Sequence, residues 1–323
     1  MKDIQLCLTL YALSAEYTTG RFSLEDCLRK ASEMGYTGIE LVASQMIPEY
    51  PYPSKQWMDE FKGLLKKYDL HPVCYSAYID MGTHSDRDLT EDEIIESTRA
   101  DLNYASYMGF DLVRTQHAIS PKIYKKMLSY ARLVGVPLTI EMHQPHNPTV
   151  PVWKEYLEIM KEEPEYSGIV PDFSIFAEHP HKLELIQAID DFGCRKEIVD
   201  ELVRRHADGD SEEEMLKGPD YTEAEKNFIK NLFHTYGDGH AHLEWLDIVL
   251  PYTKYIHGKF WILDEDEVDR TIPCDKILPI IKKSGYKGYM ASEYEGHHYS
   301  DSMDSCEQLK RWVSMSNRIL DAC

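Results

Sequence analysis

Eight short apolar runs punctuate the sequence, each separated from the next by a stretch with helical periodicity. The runs are IQLCLTL from residue 4, TGIELVA from 37, HPVCYSAYI from 71, FDLVRTQHA from 110, VPLTIEMHQ from 136, SGIVPDFSIF from 167, KYIHGKFWI from 254 and KGYMASEYEG from 287. Continuous apolar runs of this length read as strands buried on both faces. Between them lie amphipathic segments such as SLEDCLRKASEMGY, SKQWMDEFKGLLKKYD, CDKILPIIKKSGY and SCEQLKRWVSMSNRIL, with apolar residues three and four apart. The phrases MGYTGIEL, MGFDLVR and SGYKGYMASE repeat one joint, a helix ending at glycine, then an aromatic, then a strand. Strict β/α alternation predicts a parallel sheet, and eight repeats predict a (β/α)8 TIM barrel, one domain over residues 1–323. An open, doubly wound sheet is the alternative.

One connection breaks the rhythm. Residues 177–252 separate the sixth run from the seventh, and their charged, amphipathic content predicts a helical insertion within the barrel, since structureless loops of that length are uncommon. The acidic block DGDSEEE reads as a solvated turn, although the insertion as a whole could be a lid or a subunit contact.

The 323 residues include 35 Lys plus Arg against 56 Asp plus Glu, a formal charge of -21. That charge repels phosphate backbones and anionic lipid, so nucleic acid and membrane partners are not expected. The opening MKDIQLCLTLYALSAEY is too polar for a signal peptide, and no later run approaches a membrane span, so a cytoplasmic protein is expected. Seven scattered cysteines without a C-x-x-C pair read as reduced thiols.

The strand ends carry the chemistry. Run five ends in Glu141 with His143, run six carries Asp172, run seven His257 and Lys259, and run eight Glu293 and Glu295. Residues at i and i+2 of a strand point the same way, and in a barrel these rims converge on one cavity. Three carboxylates there repel one another unless a cation intervenes. Three carboxylate oxygens and one imidazole suit Mn²⁺ first, with Mg²⁺ or Co²⁺ as alternatives. Salt bridges to Lys259 or Arg114 are the plainer explanation of any single acid. Arg114 and Gln116, alternating on run four, either hold substrate hydroxyls or form a barrel-interior salt bridge; Glu40 on run two has the same two readings. Among the other histidines, His234, His240 and His242 open an apparent helix before run seven, His179 and His181 cap or are solvated, and His297 and His298 lie just past run eight, where the pair could reach a substrate.

Glu141, Asp172, the His257-x-Lys259 motif and Glu293 together resemble the xylose isomerase-like TIM-barrel sugar isomerases and epimerases, over essentially the whole chain. The resemblance implies a divalent metal held by Glu141, Asp172, His257 and Glu293, with enolisation as the shared chemistry. Within that superfamily, IEMH, the long insertion, YIHGKFW and GYMASEYEGHH look like the catalytic alpha subunit of bacterial C-glycoside deglycosidases. That group implies a lyase acting on a 3-oxo-C-glycoside: the C2 proton is abstracted, the aglycone is lost by β-elimination, and a small beta subunit completes an oligomer. His143 is then the expected base, two residues from Glu141; Arg114, Gln116, Lys259 and His298 are the expected substrate-binding residues. Glu141 and Glu293 as opposed acid and base are the alternative, in a metal-dependent isomerase or epimerase working through an enediolate. The chain departs from ketose epimerases in reading FSIF after Asp172 and Phe260 after Lys259. A binding protein that has lost catalysis is a third reading. Phe260, Trp261, Tyr294 and Tyr299 are candidates for contact with a flat aglycone.

Overall fold

The computed structural model describes residues 3–116, 119–218, 220–300 and 302–323. All eight runs form strands: β1 Ile4–Thr9, β2 Gly38–Val42, β3 His71–Ser76, β4 Leu112–Thr115, β5 Leu138–Met142, β6 Ser167–Pro171, β7 Ile256–Phe260 and β8 Gly288–Tyr294. Every pairing is parallel, in the order β6-β5-β4-β3-β2-β1-β8-β7. The two ends of that order, β6 and β7, meet through isolated bridges at Ile169 with Thr253 and Asp172 with His257, giving a nearly closed barrel. Gly168 permits this seam: a Cβ there would lie 2.3 Å from Cγ of Lys254.

The local signals operate as the sequence predicts. Thr90 and Glu93 form a capping box at the start of helix Glu91–Met108, which ends on Gly109 in the left-handed conformation, φ 84°. Phe110 then enters the core, as the repeated joint requires. Strands β2, β4, β5, β6 and β7 are buried at every residue, inside the ring of helices.

The sequence reading differs mainly at strand ends, which it makes too long. The sixth run stops at Pro171, and residues Phe173–Phe176 turn into a 3-10 helix because Oδ1 of Asp172 accepts the backbone N–H of Ser174 at 2.6 Å. The fourth stops at Thr115; His117 and Ala118, placed in that run, lie outside the described residues. In the motif around β7, His257 and Lys259 are buried, while Gly258 faces the other way beneath Trp312: a Cβ there would come within 2.5 Å of the indole.

Between β6 and β7 stand helices Lys182–Asp190, Lys196–Ala207, Glu212–Leu216, Glu223–Tyr236 and Trp245–Val249. Val199, Leu202, Met215, Ile229 and Leu232 are buried among them, and fully buried Glu225 pairs with Arg195 at 2.8 Å. The acidic block is only partly a turn, since Ser211 and Glu214 form a capping box. His181 caps helix Lys182–Asp190 and is buried, not solvated. His240 and His242, expected to open a helix, lie in the turn before Trp245–Val249, and His234 lies in the last turn of Glu223–Tyr236. No described helix is long and apolar enough to cross a membrane. All seven cysteines are free thiols, five of them buried.

Candidate metal centre

Each strand, or the turn after it, contributes to a cavity of about 430 Å³ at the carboxyl end of the barrel. Tyr11 follows β1, Ser44 and Gln45 follow β2, Tyr78 follows β3, and Gln116 follows β4. Glu141, His143 and Gln144 belong to β5 and its turn, Ser174 to the turn after β6, Lys259 and Trp261 to β7 and its exit, and Glu293 and Glu295 to β8 and its exit.

Glu141 and Glu293 line the cavity's floor and, with Asp172 and His257 outside the lining, form a buried cluster whose ligand atoms lie within 4.8 Å of one another. Nδ1 of His257 lies 2.7 Å from Oε1 of Glu141, 3.1 Å from Oε2 of Glu293 and 4.0 Å from Oδ2 of Asp172. Despite these short separations, Nδ1 of His257, Oδ2 of Asp172 and Oε2 of Glu293 have no aligned hydrogen-bond partner among the described residues. Buried polar atoms are normally satisfied. Orphaned atoms converging on one point are the arrangement expected of ligands around a cation, so the four residues could hold a divalent metal ion.

A second layer sets their orientation. Nε2–H of His257 donates to Oε2 of fully buried Glu40 at 2.9 Å, an assignment required by the carboxylate, which only accepts. With a cation in place the ring would be neutral and present its Nδ1 lone pair to the cluster, the carboxylate–histidine relay typical of metal sites. Glu40 is held in turn by the Tyr255 hydroxyl at 3.0 Å and by Arg114 at 3.1 Å. Arg114 also donates to Oε2 of Glu141 at 2.8 Å and to the Tyr78 hydroxyl at 3.0 Å. Gln116 donates to the same Glu141 oxygen at 3.1 Å. Lys259 reaches Glu295 at 2.8 Å, Asp172 at 3.4 Å and Glu293 at 3.6 Å.

Five carboxylates (Glu40, Glu141, Asp172, Glu293, Glu295) thus face two permanent cations, Arg114 and Lys259, a formal deficit of three charges. Burial, with Glu293 and Glu141 nearby and Lys259 opposing, pushes the Asp172 carboxyl up to about 6. Burial also works against ionised Glu141, but Arg114 and His257 outweigh it and hold the group well below the usual carboxylate range. Burial disfavours the His257 cation, yet Glu293, Glu40 and Glu141 together raise its pKa well above the ordinary value. A proton on His257 partly compensates the charge deficit that a metal ion would meet.

His143 lines the cavity above this floor, and its Nδ1–H donates to the Gln144 carbonyl at 2.6 Å, so Nε2 is the ring's basic nitrogen. Gln116 and Lys259 also line the cavity. Arg114, expected to hold substrate, is instead fully buried outside that lining, with its guanidinium engaged by Glu40, Glu141 and Tyr78. His298, also expected at the substrate, is exposed and outside the lining; its Nε2 meets the Tyr11 hydroxyl at 2.7 Å. Of the aromatics expected at the rim, only Trp261 lines the cavity; Phe260 and Tyr294 are buried, with Phe260 stacked on Trp312 at 4.7 Å. Sequence reasoning missed Tyr11, in the 3-10 helix Leu10–Leu13, Gln45, in the short helix Ala43–Met46, and Tyr78, just past β3, none of which carries a motif of its own.

Fold and site together define a (β/α)8 barrel with a carboxylate–histidine centre at its mouth. Residues 28–314 match the model of the xylose isomerase-like TIM barrel family, and the chain belongs to that family. It is 28% identical to a 3'-dehydrocarminate deglycosidase alpha subunit from Microbacterium sp., over 98% of this chain and 95% of that one. It is 26% identical to a C-glycoside deglycosidase alpha subunit from Arthrobacter globiformis, over 98% and 93%. Among solved structures, a sugar phosphate isomerase/epimerase from Parabacteroides distasonis superposes with a TM-score of 0.58 at 12% identity, covering 99% of this chain and 95% of that one. The 3-keto-D-glucoside 4-epimerase of E. coli superposes with a TM-score of 0.53 at 12% identity, covering both chains completely.

Proposed function

We propose that this chain is the catalytic subunit of a metal-dependent C-glycoside deglycosidase, a carbon–carbon lyase acting on 3-oxo-C-glycosides. Near-full-length similarity to two deglycosidase alpha subunits carries the reading. The chemistry of the site supports it. Glu141, Asp172, His257 and Glu293 would hold the metal, manganese in the first instance, with magnesium or cobalt able to use the same oxygen-rich set. Such an ion, when bound, would polarise the substrate's C3 carbonyl and stabilise negative charge developing on its oxygen.

Nε2 of His143 takes the proton from C2, which the neighbouring ketone acidifies. The C2–H pair becomes the C1=C2 bond, the C1–carbon bond to the aglycone breaks, and the aglycone carbon is reprotonated. No oxidant is consumed, because the sugar arrives already oxidised. Lys259 and Gln116 bind sugar oxygens from the cavity wall, while Arg114 acts behind Glu141 and His298 acts through Tyr11. The alpha-subunit relatives support a small beta subunit and a hetero-oligomer. We read residues 1–323 as one cytoplasmic barrel domain with 177–252 as its insertion.

A second reading, an isomerase or epimerase, is favoured by one observation: Glu141 and Glu293 both line the cavity and could serve as acid and base. The deciding experiment measures metal content of the wild type and of Glu141→Ala/Asp172→Ala, then assays a 3-oxo-C-glucoside with a small subunit supplied. About one equivalent of metal lost in the double variant, with aglycone released only by the loaded wild type, is expected. Solvent deuterium entering the sugar without aglycone release would replace the lyase by the isomerase. Equal metal content in both proteins would sink the shared site.

A further inference from the structure

A second cleft, of about 280 Å³, adjoins the catalytic cavity, and the two share Gln144 and Ser174 as walls. Its far side is built by the insertion: the end of helix Glu223–Tyr236, the turn through Asp238 and His242, and Trp245. The shared wall is held in place from both sides, since the Gln144 backbone N–H donates to Oγ of Ser174 at 3.2 Å and its side-chain amide donates to the Thr235 carbonyl at 2.5 Å. Trp245 and His242 both line the cleft, with their rings stacked at 4.5 Å and 19°. The lining therefore combines an aromatic surface with polar groups at its edge.

The reaction fixes which part of the substrate points this way, granting the lyase reading above on which this step rests. His143 abstracts from C2, and the bond that breaks leaves from C1, the adjacent atom. The leaving group therefore departs from the atom next to the one that faces His143, and Gln144, which follows His143 in the turn after β5, lines both the catalytic cavity and the second cleft. We propose that this cleft is the aglycone subsite, which takes a planar, polyhydroxylated aromatic ring against Trp245. The insertion, with its histidine-rich HTYGDGHAHLEW segment, thereby serves substrate selection and not metal binding.

The test uses 2,4,6-trihydroxyacetophenone as a one-ring probe, with its affinity for the metal-loaded protein measured by equilibrium dialysis. Trp245→Ala should weaken binding about tenfold while metal content stays at the wild-type level, and Trp245→Phe, which keeps a ring, should stay within about threefold of wild type. Equal affinity in wild type and Trp245→Ala, or equal losses in the Ala and Phe variants, overturns the subsite. Exchange of the C2 proton of methyl 3-oxo-glucoside in D₂O, measured on the wild type, separates the two ideas. Exchange with Trp245-independent probe binding leaves the reaction standing and removes the subsite; Trp245-dependent binding without exchange supports the cleft and removes the proposed chemistry.

Discussion

Replacing Glu40 by glutamine removes one charge and no volume, and its consequence can be worked out from donors and acceptors alone. Glu40 accepts three hydrogen bonds in a fully buried position: Oε1 from Arg114 at 3.1 Å, and Oε2 from His257 at 2.9 Å and the Tyr255 hydroxyl at 3.0 Å. A glutamine must present its NH₂ to one side or the other. Turned toward Arg114, it sets donor against donor beside a buried cation. Turned toward His257, it favours the tautomer with the proton on Nδ1, the nitrogen aimed at the other three candidate ligands. A buried group stripped of its partner costs about 1–3 kcal/mol, and tenfold in affinity corresponds to about 1.4 kcal/mol. Metal binding should therefore weaken about 10- to 100-fold, the range seen when outer-sphere partners of metal-bound histidines are changed. Titration of Mn²⁺ into wild type and Glu40→Gln against a fluorescent chelator measures this, with circular dichroism verifying that the variant is folded. A folded variant binding Mn²⁺ within about twofold of wild type would refute the argument that Glu40 sets the His257 tautomer.

Three further outcomes are expected. His143→Gln should keep its metal and lose about 10²- to 10⁴-fold in turnover of a 3-oxo-C-glucoside; retained turnover would move the base elsewhere. Asp101 is buried; among the described residues its Oδ2 has no hydrogen-bond partner and Tyr75 alone donates to Oδ1, at 3.2 Å, and burial pushes its carboxyl up to about 7. Its folded pKa is thus above its unfolded one, so the stability linked to its proton is fully present below about pH 4 and is lost as pH rises through about 7. At about 1.4 kcal/mol per pKa unit, the rise from 3.8 to about 7 corresponds to at most about 4 kcal/mol. Asp101→Asn should melt higher than wild type at pH 8, with the gap narrowing toward pH 5; a pH-independent gap refutes the linkage. Gly258→Ala would place a Cβ 2.5 Å from Trp312 and 2.8 Å from the Ala291 carbonyl, which should cost about 1–3 kcal/mol in urea unfolding.

The barrel was legible because β/α alternation and the glycine joints are local signals, and the four clustered residues were legible because strand ends of a barrel converge. Period two also held the correction for the aromatics: if His257, Lys259 and Glu293 face inward, Phe260 and Tyr294 must face out, and both do lie in the core. Arg114 and Gln116, two apart, do share a direction, and both donate to one oxygen of Glu141. What the sequence does not contain is distance across the barrel. Glu40 meets His257 from 217 positions away, and nothing near either residue announces the pairing. Strand ends were overestimated for a related reason: apolar character continues into Phe173–Phe176, while the hydrogen bond from Ser174 to Asp172 ends the strand.

That same hydrogen bond explains why the weakest joint of the barrel and its candidate metal centre coincide. Asp172 accepts the Ser174 amide at Oδ1, which starts the turn that builds the cavity wall, and turns Oδ2 toward Lys259, 3.4 Å away, and the other candidate ligands. Its backbone bridges to His257 where β6 and β7 otherwise lack a continuous ladder. Two of the four candidate ligands therefore face each other across the seam, and the insertion that separates β6 from β7 in sequence also walls the adjoining cleft. A cation binding both residues would join the strands where backbone pairing is sparsest. Metal loading should accordingly raise the melting temperature through barrel closure as well as through mass action, a coupling that follows from the topology before any substrate is considered.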